Sequence, residues 1–284
     1  MKKILIHLVC CFLVLLQINE SQAQVSNVLD GAYVKESNIT KRVVPYPALR
    51  EADVMYTKRI WQTLDLKEKI NHPYYYPILP IADRKNLFDV IRQALLVEGS
   101  LVAYGTGPDG SDDEFRYPMA PSQIDSILTP TVRIPKYDLQ TNERLPDSVI
   151  TLAIESQAIT RYLIKEDWIW DRQRGERYVR IIGLAPQYVK STDNGPEFET
   201  LFWLYYPECR YVLANADAFN PMNDAQRRTY EDLFQKRFFS SFIHKESNVY
   251  NRPISAYAGG LDALAESERI KHELFLLEHD LWHY

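Results

Sequence analysis

The sequence has little cysteine and little glycine, with 3 cysteines and 10 glycines in 284 residues. Cys10 and Cys11 lie in an apolar stretch at the start of the chain, which leaves Cys209 alone in the remainder. A single thiol cannot form an intrachain disulfide, so the fold must depend on packing. Cys209 stands between Glu208 and Arg210 without an obvious general base, and we interpret it as a small buried hydrophobe rather than a nucleophile.

The chain also lacks an excess of positive charge, because its formal net charge is -5 at pH 7. A nucleic-acid-binding protein needs a basic face for the phosphates, and anionic lipid headgroups attract basic segments. The composition therefore argues against nucleic acid and membrane surfaces as partners. Proteins or neutral ligands are the expected partners.

Only one long apolar run is present, and it lies at the beginning of the chain. Lys2 and Lys3 precede the apolar residues 4–18, and Ser21 and Ala23 form a small-x-small cleavage site. This pattern predicts a signal peptide over residues 1–23 and an exported protein with no membrane anchor of its own. A lipoprotein is the less favoured alternative, because the residues before Cys10 lack the small residue of a lipobox.

Recognisable catalytic motifs are missing as well, including G-x-S-x-G, the Walker loop and C-x-x-C. Gly105, Gly107 and Gly110 match the dinucleotide pattern G-x-G-x-x-G, but Pro108 interrupts it and the neighbouring acids would repel phosphates. Those acids do not have the spacing of an EF-hand calcium loop either. We predict a hairpin tip that is solvated or contacts a partner, and no cofactor.

Three histidines near the end of the chain share one face of a predicted helix. His272 and His279 are two turns apart, too far to hold one metal ion unaided, and His283 follows one turn later. We therefore predict no metal site here. The His272/His279/His283 stripe is interpreted as exposed or facing an interface, with its role left open.

The abundant residues are aromatic, with 5 Trp, 19 Tyr and 11 Phe, and there are 16 prolines. Residues 24–47 are polar and irregular and end in Pro45-Tyr46-Pro47, which predicts an extended N-terminal arm. Residues 48–284 are predicted to form a single α+β domain, with 48–150 and 151–284 as possible subdomains. The aromatics suit either subunit contacts or an interior, and we leave both readings open.

Local patterns predict a central antiparallel sheet flanked by amphipathic helices, which is an α+β fold. The segment 73–80 contains three prolines and three tyrosines. Because the prolines oppose both a helix and a central strand, we predict an extended packing segment there. A turn is expected at Arg174-Gly175. The predicted helices are 49–64, 86–97, from Asn223 or Asp224 to Phe234, and 261–282, and the predicted strands are 101–104, 115–117, 168–170, 178–184 and 201–206.

Two other function classes remain open from the residues alone. A periplasmic hydrolase could use two of the many carboxylates, and its sign would be a deep pocket containing an acid with a raised pKa. A glycan-binding module could stack sugar rings on Trp168, Trp170 and Trp203. The alternation of these tryptophans with apolar residues favours core packing instead.

Long strings through most of the chain resemble one family, the gliding-motility protein GldN, called PorN in non-gliding relatives. The strings occur in order and are unusual in composition, such as DLKEKINHP at 65–73 and RIIGLAP at 180–186. The others lie at 30–34, 49–55, 75–77, 202–203, 246–250 and 278–282.

The resemblance implies a periplasmic, non-catalytic component of the type IX secretion system of the Bacteroidetes. Proteins of that family form a ring with an outer-membrane lipoprotein, GldK or PorK. The ring meets the periplasmic part of the motor protein GldM or PorM, with GldL or PorL. The resemblance supplies no catalytic or cofactor-binding residue. It also implies several copies of the chain in one ring.

A ring subunit needs one surface for the next copy and another for its tether, and aromatic side chains suit such contacts. We therefore expect the Pro-Tyr-Pro arm and the tyrosine patch to lie at subunit contacts. The candidate interaction residues are Tyr46, Tyr74, Tyr75 and Tyr76.

Overall fold

The structure is a computed structural model that describes residues 41–81, 84–137, 144–192, 195–223 and 225–280. These residues fall within one compact unit, Asn38–Tyr284. The predicted signal peptide and the first part of the predicted arm, residues 1–40, lie outside the described residues. The domain boundaries therefore stay predictions.

An antiparallel sheet of eight strands forms the centre of the fold. The described part of the chain contains twelve strands, of which eight belong to this sheet. They are β1 Val54–Asp65, β2 Ala103–Gly105, β3 Tyr117–Met119, β4 Thr131–Tyr137, β5 Arg144–Thr151, β6 Ile159–Asp171, β7 Glu176–Thr192, β8 Gly195–Thr200, β9 Trp203–Tyr205, β10 Asp217–Ala218, β11 Arg228–Thr229 and β12 Phe242–Glu246. The spatial order in the sheet is β12-β1-β6-β7-β9-β2-β3, and β8 pairs with β7. Strands β4 and β5 form a separate two-stranded ribbon, as do β10 and β11.

Helices surround this sheet, and the predicted α+β class with a central antiparallel sheet is confirmed. The helices are α1 His72–Tyr75, α2 Leu87–Gln93, α3 Pro121–Leu128, α4 Tyr206–Asn215, α5 Tyr230–Gln235 and α6 Leu261–Asp280. A π-helical turn, Ala94–Glu98, continues α2. Single 3₁₀ turns occur at Glu51–Asp53, Lys69–Asn71, Ser156–Ala158 and Ile254–Ala256.

The long hairpin of β6 and β7 confirms the strands predicted around Trp168 and Ile181. The two strands pair antiparallel along nearly their full length, and the turn between them contains Gly175 at φ 63, a backbone conformation that glycine adopts without strain. The predicted hairpin before it is also confirmed, because β2 pairs with β3.

Strand β1 is the main error of the sequence prediction, which placed a helix over 49–64. Residues Val54–Asp65 instead pair with β6 on one side and with β12 on the other. Ile60 and Trp61 are both buried, and they belong to different core clusters because successive strand residues point to opposite faces. A strand buried on both faces loses the period of two, and the spacing of Val54, Ile60, Trp61 and Leu64 then resembles one side of a helix.

The proline-rich segment 73–80 begins with a helical turn, which corrects the expectation of an extended conformation throughout. Pro73 stands in the first turn of α1, where its missing N–H has no helical partner to lose. Tyr76 itself is extended, the Tyr76-Pro77 peptide bond is cis, and the chain bends at residues 78–79.

The helix predicted from Asn223 or Asp224 is wrong at its beginning. Arg228–Thr229 first pairs with Asp217–Ala218, and α5 starts only at Tyr230. The hydroxyl of Thr229 accepts a hydrogen bond from the N–H of Asp232 and so caps the helix. Asp224 lies outside the described residues.

The other two helix predictions are confirmed. The Asn86 side chain caps α2 by accepting the N–H of Asp89 at 2.8 Å, and the helical segment stops before Gly99 at φ 62. Helix α6 runs from Leu261 to Asp280, close to the predicted 261–282.

Within the described residues, the core consists of one large cluster and two smaller ones. The large cluster joins the sheet to α2, α4 and α5 and contains the buried aromatic rings of Tyr74, Tyr162, Phe202, Tyr206 and Phe234. Helix α6 covers a second cluster with its buried residues Ile270 and Leu274; the other members are Ile60, Trp168, Trp170, Ile243 and Ile254.

Candidate functional site

The glycine-rich loop does not form a nucleotide site, since it joins β2 directly to β3 and no helix follows it. Instead the loop is fastened to the sheet. The buried ammonium of Lys165 donates to the main-chain oxygen of Asp113 at 2.7 Å and to its carboxylate at 3.3 Å, and the indole of Trp61 also donates to that carboxylate. Burial lowers the pKa of Lys165. The predicted hairpin is confirmed, but the sequence offered no sign of this inward carboxylate.

All three tryptophans considered for sugar stacking are buried, so the prediction of core packing is confirmed. Trp168 and Trp170 lie under α6, and Trp203 packs with Trp61 and Ala185. None of the three indole faces lies open on the sheet surface.

The histidine stripe does not form a metal centre within the described ranges, where no group of three or more His, Cys, Asp or Glu could hold an ion. His272 is exposed, and its ring stacks on Phe275 with 6.4 Å between centroids. His283 lies outside the described residues. Cys209 is buried, and burial raises the pKa of its thiol to about 12, as expected of a small hydrophobe.

The carboxyl groups with a displaced pKa in the described part of the chain are shifted downwards rather than upwards. A hydrogen bond from Lys190 lowers the pKa of Glu199, and one from Arg269 lowers the pKa of Glu266. Arg50 lowers the pKa of Asp53 in the same way. A general acid near neutral pH requires a raised pKa, so none of these three groups has that property.

The last part of the arm lies against the domain, and Tyr46 is its anchor. The ring of Tyr46 is half-buried, with the guanidinium carbon of Arg210 4.0 Å from its centroid and that of Arg180 at 5.4 Å. Guanidinium groups over an aromatic face attract it electrostatically. Burial raises the pKa of the Tyr46 hydroxyl, with smaller opposing effects of the two arginines. The Pro-Tyr-Pro pattern had marked this residue.

The same arginines bind the main chain of the arm. Arg210 donates to the carbonyl oxygen of Val44 at 2.7 Å, and Arg180 donates to that of Pro47 at 2.5 Å. Lys41 forms an ion pair with Asp232 and donates to the hydroxyl of Thr229 at 3.1 Å. The arm is therefore held by side chains of the domain that bind its backbone, one ring and one ammonium group.

We call the surface under the arm the arm groove, defined by Arg180, Arg210, Glu231 and Asp232. Arg180 comes from β7, Arg210 from α4, and both acids from α5. Arg210 and Glu231 form a buried ion pair at 2.8 Å, which fixes the guanidinium where it meets Tyr46. These residues are far apart in the sequence, and no local pattern could have brought them together.

The tyrosine patch divides between core and surface. Tyr74 is only 1% exposed; its ring packs 5.1 Å from Phe234, and its hydroxyl donates to the carbonyl of Phe238 at 3.3 Å. Tyr75 is half-buried, whereas Tyr76 is 45% exposed and stands edge-on to the Tyr75 ring at 4.9 Å. Among these three, Tyr76 offers the most surface to a partner.

The chain after Tyr76 continues this exposed apolar character. Leu79 is 73% exposed and Ile81 is 63% exposed, with Ile78 also at the surface. We call residues 76–81 the apolar segment. Adjacent exposed apolar side chains are typical of protein interfaces, whereas single ones are common everywhere. The sequence predicts an extended packing segment here, with Tyr76 among the candidate interaction residues, and it gives no sign that Leu79 and Ile81 are exposed.

No helix in the described part of the chain has the length and apolar character needed to span a membrane. A search of curated proteins finds no match. The family model described as "Gliding motility associated protein GldN" matches residues 49–283. This match covers β1 to α6 and therefore the arm groove and the apolar segment. The chain accordingly belongs to the GldN family of gliding-motility-associated proteins.

Proposed function

We propose that this protein is a non-catalytic, periplasmic structural component of the type IX secretion and gliding machinery. In this role several copies form a ring with an outer-membrane lipoprotein of the GldK or PorK kind. The ring contacts the periplasmic part of a GldM-like or PorM-like motor protein that acts with a GldL-like or PorL-like partner. Membership of the GldN family is the observation that carries this proposal.

The surface of the described residues supports an assembling protein. The apolar segment exposes Tyr76, Leu79 and Ile81 within six residues of the chain. Exposed aromatic and aliphatic anchors of this kind contribute most of the free energy of association at subunit contacts. We assign the apolar segment to a contact with the lipoprotein.

Tyr76 is the most direct test of this assignment, because its side chain is exposed and its loss leaves the core intact. Tyr76→Ala should weaken binding by about 1 to 2 kcal/mol if the ring lies near the centre of a contact. The measurement is co-purification of the tagged chain with the lipoprotein, followed by electron microscopy of the product. Tyr250→Ala, another exposed tyrosine on a different loop, is the matched control.

Two results would count against the proposal. One is a chain that never co-purifies with the lipoprotein, and the other is a chain that turns over a small molecule when purified alone. Undiminished capture by Tyr76→Ala, with rings still forming, would reject only the assignment of the apolar segment.

A further inference from the structure

The arm is attached to its groove by contacts that another copy of the chain offers equally well. Within residues 41–47, the main chain is bound through the carbonyl oxygens of Val44 and Pro47, and the ring in the groove is that of Tyr46. No strand of the sheet pairs with residues 41–47. The arm therefore follows the groove as an extended peptide, without the sheet register that would tie it to its own domain.

Charge also matches between arm and groove. Lys41 pairs with Asp232 at one end of the groove, and Arg42 next to it is exposed. The groove supplies the Asp232 carboxylate to Lys41 and the Arg210 and Arg180 guanidinium groups to Tyr46, so these contacts favour one direction of the arm. Such a surface selects this arm sequence over an arbitrary peptide.

The connection between the arm and the domain is short but exposed. Residues 48–50 are irregular, and both Ala48 and Arg50 are exposed before the turn Glu51–Asp53 leads into β1. Six residues, 48–53, can span about 20 Å when extended. A change of direction here moves the arm away from its own domain without disturbing the core.

We propose that in the assembled ring each copy places its arm in the arm groove of a neighbouring copy. The inference rests on the proposed function, because a ring is what holds the neighbour within reach. The exchanged arm makes the same contacts as before, so exchange replaces an internal contact by a contact between subunits at little cost. The contact is heterologous, arm to groove, and such contacts close into rings.

A photo-cross-linking experiment with isotope labels decides between the two arrangements. A benzophenone-bearing residue replaces Tyr46 in an isotopically heavy chain and in a light chain, which are mixed before assembly with the lipoprotein. Mass spectrometry then identifies the peptides cross-linked to position 46 around Arg210. Exchange predicts that about half of these cross-links join a heavy chain to a light one, as random neighbours in a ring require.

If every cross-link joins heavy to heavy or light to light, in the assembly and also in the concentrated chain alone, the proposed exchange is contradicted. The same photo-reactive residue at Tyr250, which is 76% exposed, measures random collisions. If the lipoprotein does not bind at all, the proposed function fails, while the concentrated chain still reports on arm exchange.

Two surface variants provide an independent measurement. Tyr46→Ala damages the arm and leaves the groove intact, and Arg180→Glu damages the groove and leaves the arm intact. Each variant alone should lose self-association, measured by sedimentation. An equal mixture should form heterodimers but no rings, because the intact arm of Arg180→Glu fits the intact groove of Tyr46→Ala while the damaged arm and the damaged groove cannot pair. A mixture that sediments like the two separate variants, or variants that associate normally alone, would contradict the proposal.

Discussion

Gly183 lies in β7 directly beneath two aromatic rings. A Cβ atom added there would lie 2.9 Å from Cζ of Phe115 and 3.1 Å from Cε3 of Trp203. The ring of Phe115 has little freedom to move aside, because it also contacts Tyr104 and Tyr205 edge-on. The requirement for glycine at this position comes from close packing rather than from a turn.

Gly183→Ala should therefore lower the free energy of unfolding by about 1 to 3 kcal/mol, as overpacking in a filled core does. Urea unfolding followed by tryptophan fluorescence measures the change. Gly259→Ala is the control, because a Cβ at Gly259 meets no atom within 4 Å, and it should leave stability nearly unchanged. Equal midpoints for the two variants would show that the ring of Phe115 moves aside freely.

The carboxylate of Glu166 is fully buried, and all its hydrogen-bond partners are side chains. Arg237 donates to its two oxygens at 2.8 and 3.2 Å, Gln62 donates at 2.9 Å and the indole of Trp168 at 3.0 Å. Arg237 is thus the cation that compensates a charge removed from water. A buried carboxylate that loses its cation is strongly destabilising.

Arg237→Ala should lower the free energy of unfolding by about 3 to 5 kcal/mol, because Glu166 would stay buried without a counterion. Arg269→Ala removes an exposed arginine that pairs with Glu266 and Glu273, and it should cost less than about 1 kcal/mol. Chemical denaturation of both variants at pH 7 provides the comparison. A loss at Arg237 no larger than at Arg269 would mean that water replaces the guanidinium.

His244 makes stability depend on pH. Burial, with a smaller contribution from Lys245, lowers its pKa from 6.5 to about 4, against an opposing effect of Asp113. Its Nδ1 lies 3.0 Å from the hydroxyl of Thr63. The folded protein keeps this ring neutral while the unfolded chain binds a proton below pH 6.5, so the contribution to stability is present above that pH and is lost towards pH 4.

Between pH 7 and pH 5 this histidine should account for a loss of about 2 kcal/mol in the free energy of unfolding. His244→Gln keeps a group that can bond to Thr63 but does not titrate in this range. Urea unfolding at both pH values should show a smaller acid effect in the variant than in the parent protein. If the variant loses as much free energy of unfolding between pH 7 and pH 5 as the parent protein, other groups cause the loss.

At the scale of elements, local signals predicted the elements that are locally determined. Asn86 and Gly99 mark the ends of one helical segment by capping chemistry that operates within a few residues. The turn at Gly175 fixed the β6–β7 hairpin in the same way. Strand β1 escaped prediction because its conformation is imposed by pairing with β6 and β12, which are distant in sequence.

Of the candidate site, the arm residue could be predicted from the sequence and the groove that binds it could not. Tyr46 stands between two prolines, so an extended aromatic anchor could be read from the sequence. The arm groove could not be predicted, because Arg180, Arg210 and Glu231 belong to three elements that meet only in the folded chain. For the tyrosine patch, composition did not reveal that Tyr74 would be internal and Tyr76 external.

Helix α6 depends on one narrow apolar stripe for its attachment. Ile270 and Leu274 are buried against the cluster that contains Trp168 and Trp170, and Ser267 accepts the N–H of Ile243 at 3.0 Å. Phe275 and several other apolar residues of the helix are exposed. The helix is therefore joined to the sheet through few side chains.

Leu274→Ala should lower the free energy of unfolding by about 2 to 4 kcal/mol, because it leaves a cavity between α6 and the sheet. Leu276→Ala, two residues further along at an exposed position, should change stability by less than about 0.5 kcal/mol. Thermal unfolding followed by circular dichroism compares the two. Similar losses for both variants would place the contact on the other face of the helix.

At the scale of the whole molecule, the buried groups serve the fold and the exposed ones are available for assembly. Lys165, Glu166 and Arg210 each have an oppositely charged partner within the domain. The apolar segment, in contrast, presents Leu79 and Ile81 to solvent. The proposed structural role needs such surfaces, and an assembly test therefore bears on it more directly than an activity assay.

Leu79→Asp tests the apolar segment at this scale, because it places a charge in the proposed contact and leaves the core untouched. Leu79 is the most exposed of the segment's large apolar side chains, so the free energy of unfolding should change by less than about 0.5 kcal/mol. Binding of the lipoprotein should fall by about tenfold or more, since a buried unpaired carboxylate is costly at an interface. Leu79→Met retains an apolar side chain of similar size and should bind normally. Because both variants keep the fold, normal binding by Leu79→Asp would place the lipoprotein contact elsewhere on the molecule.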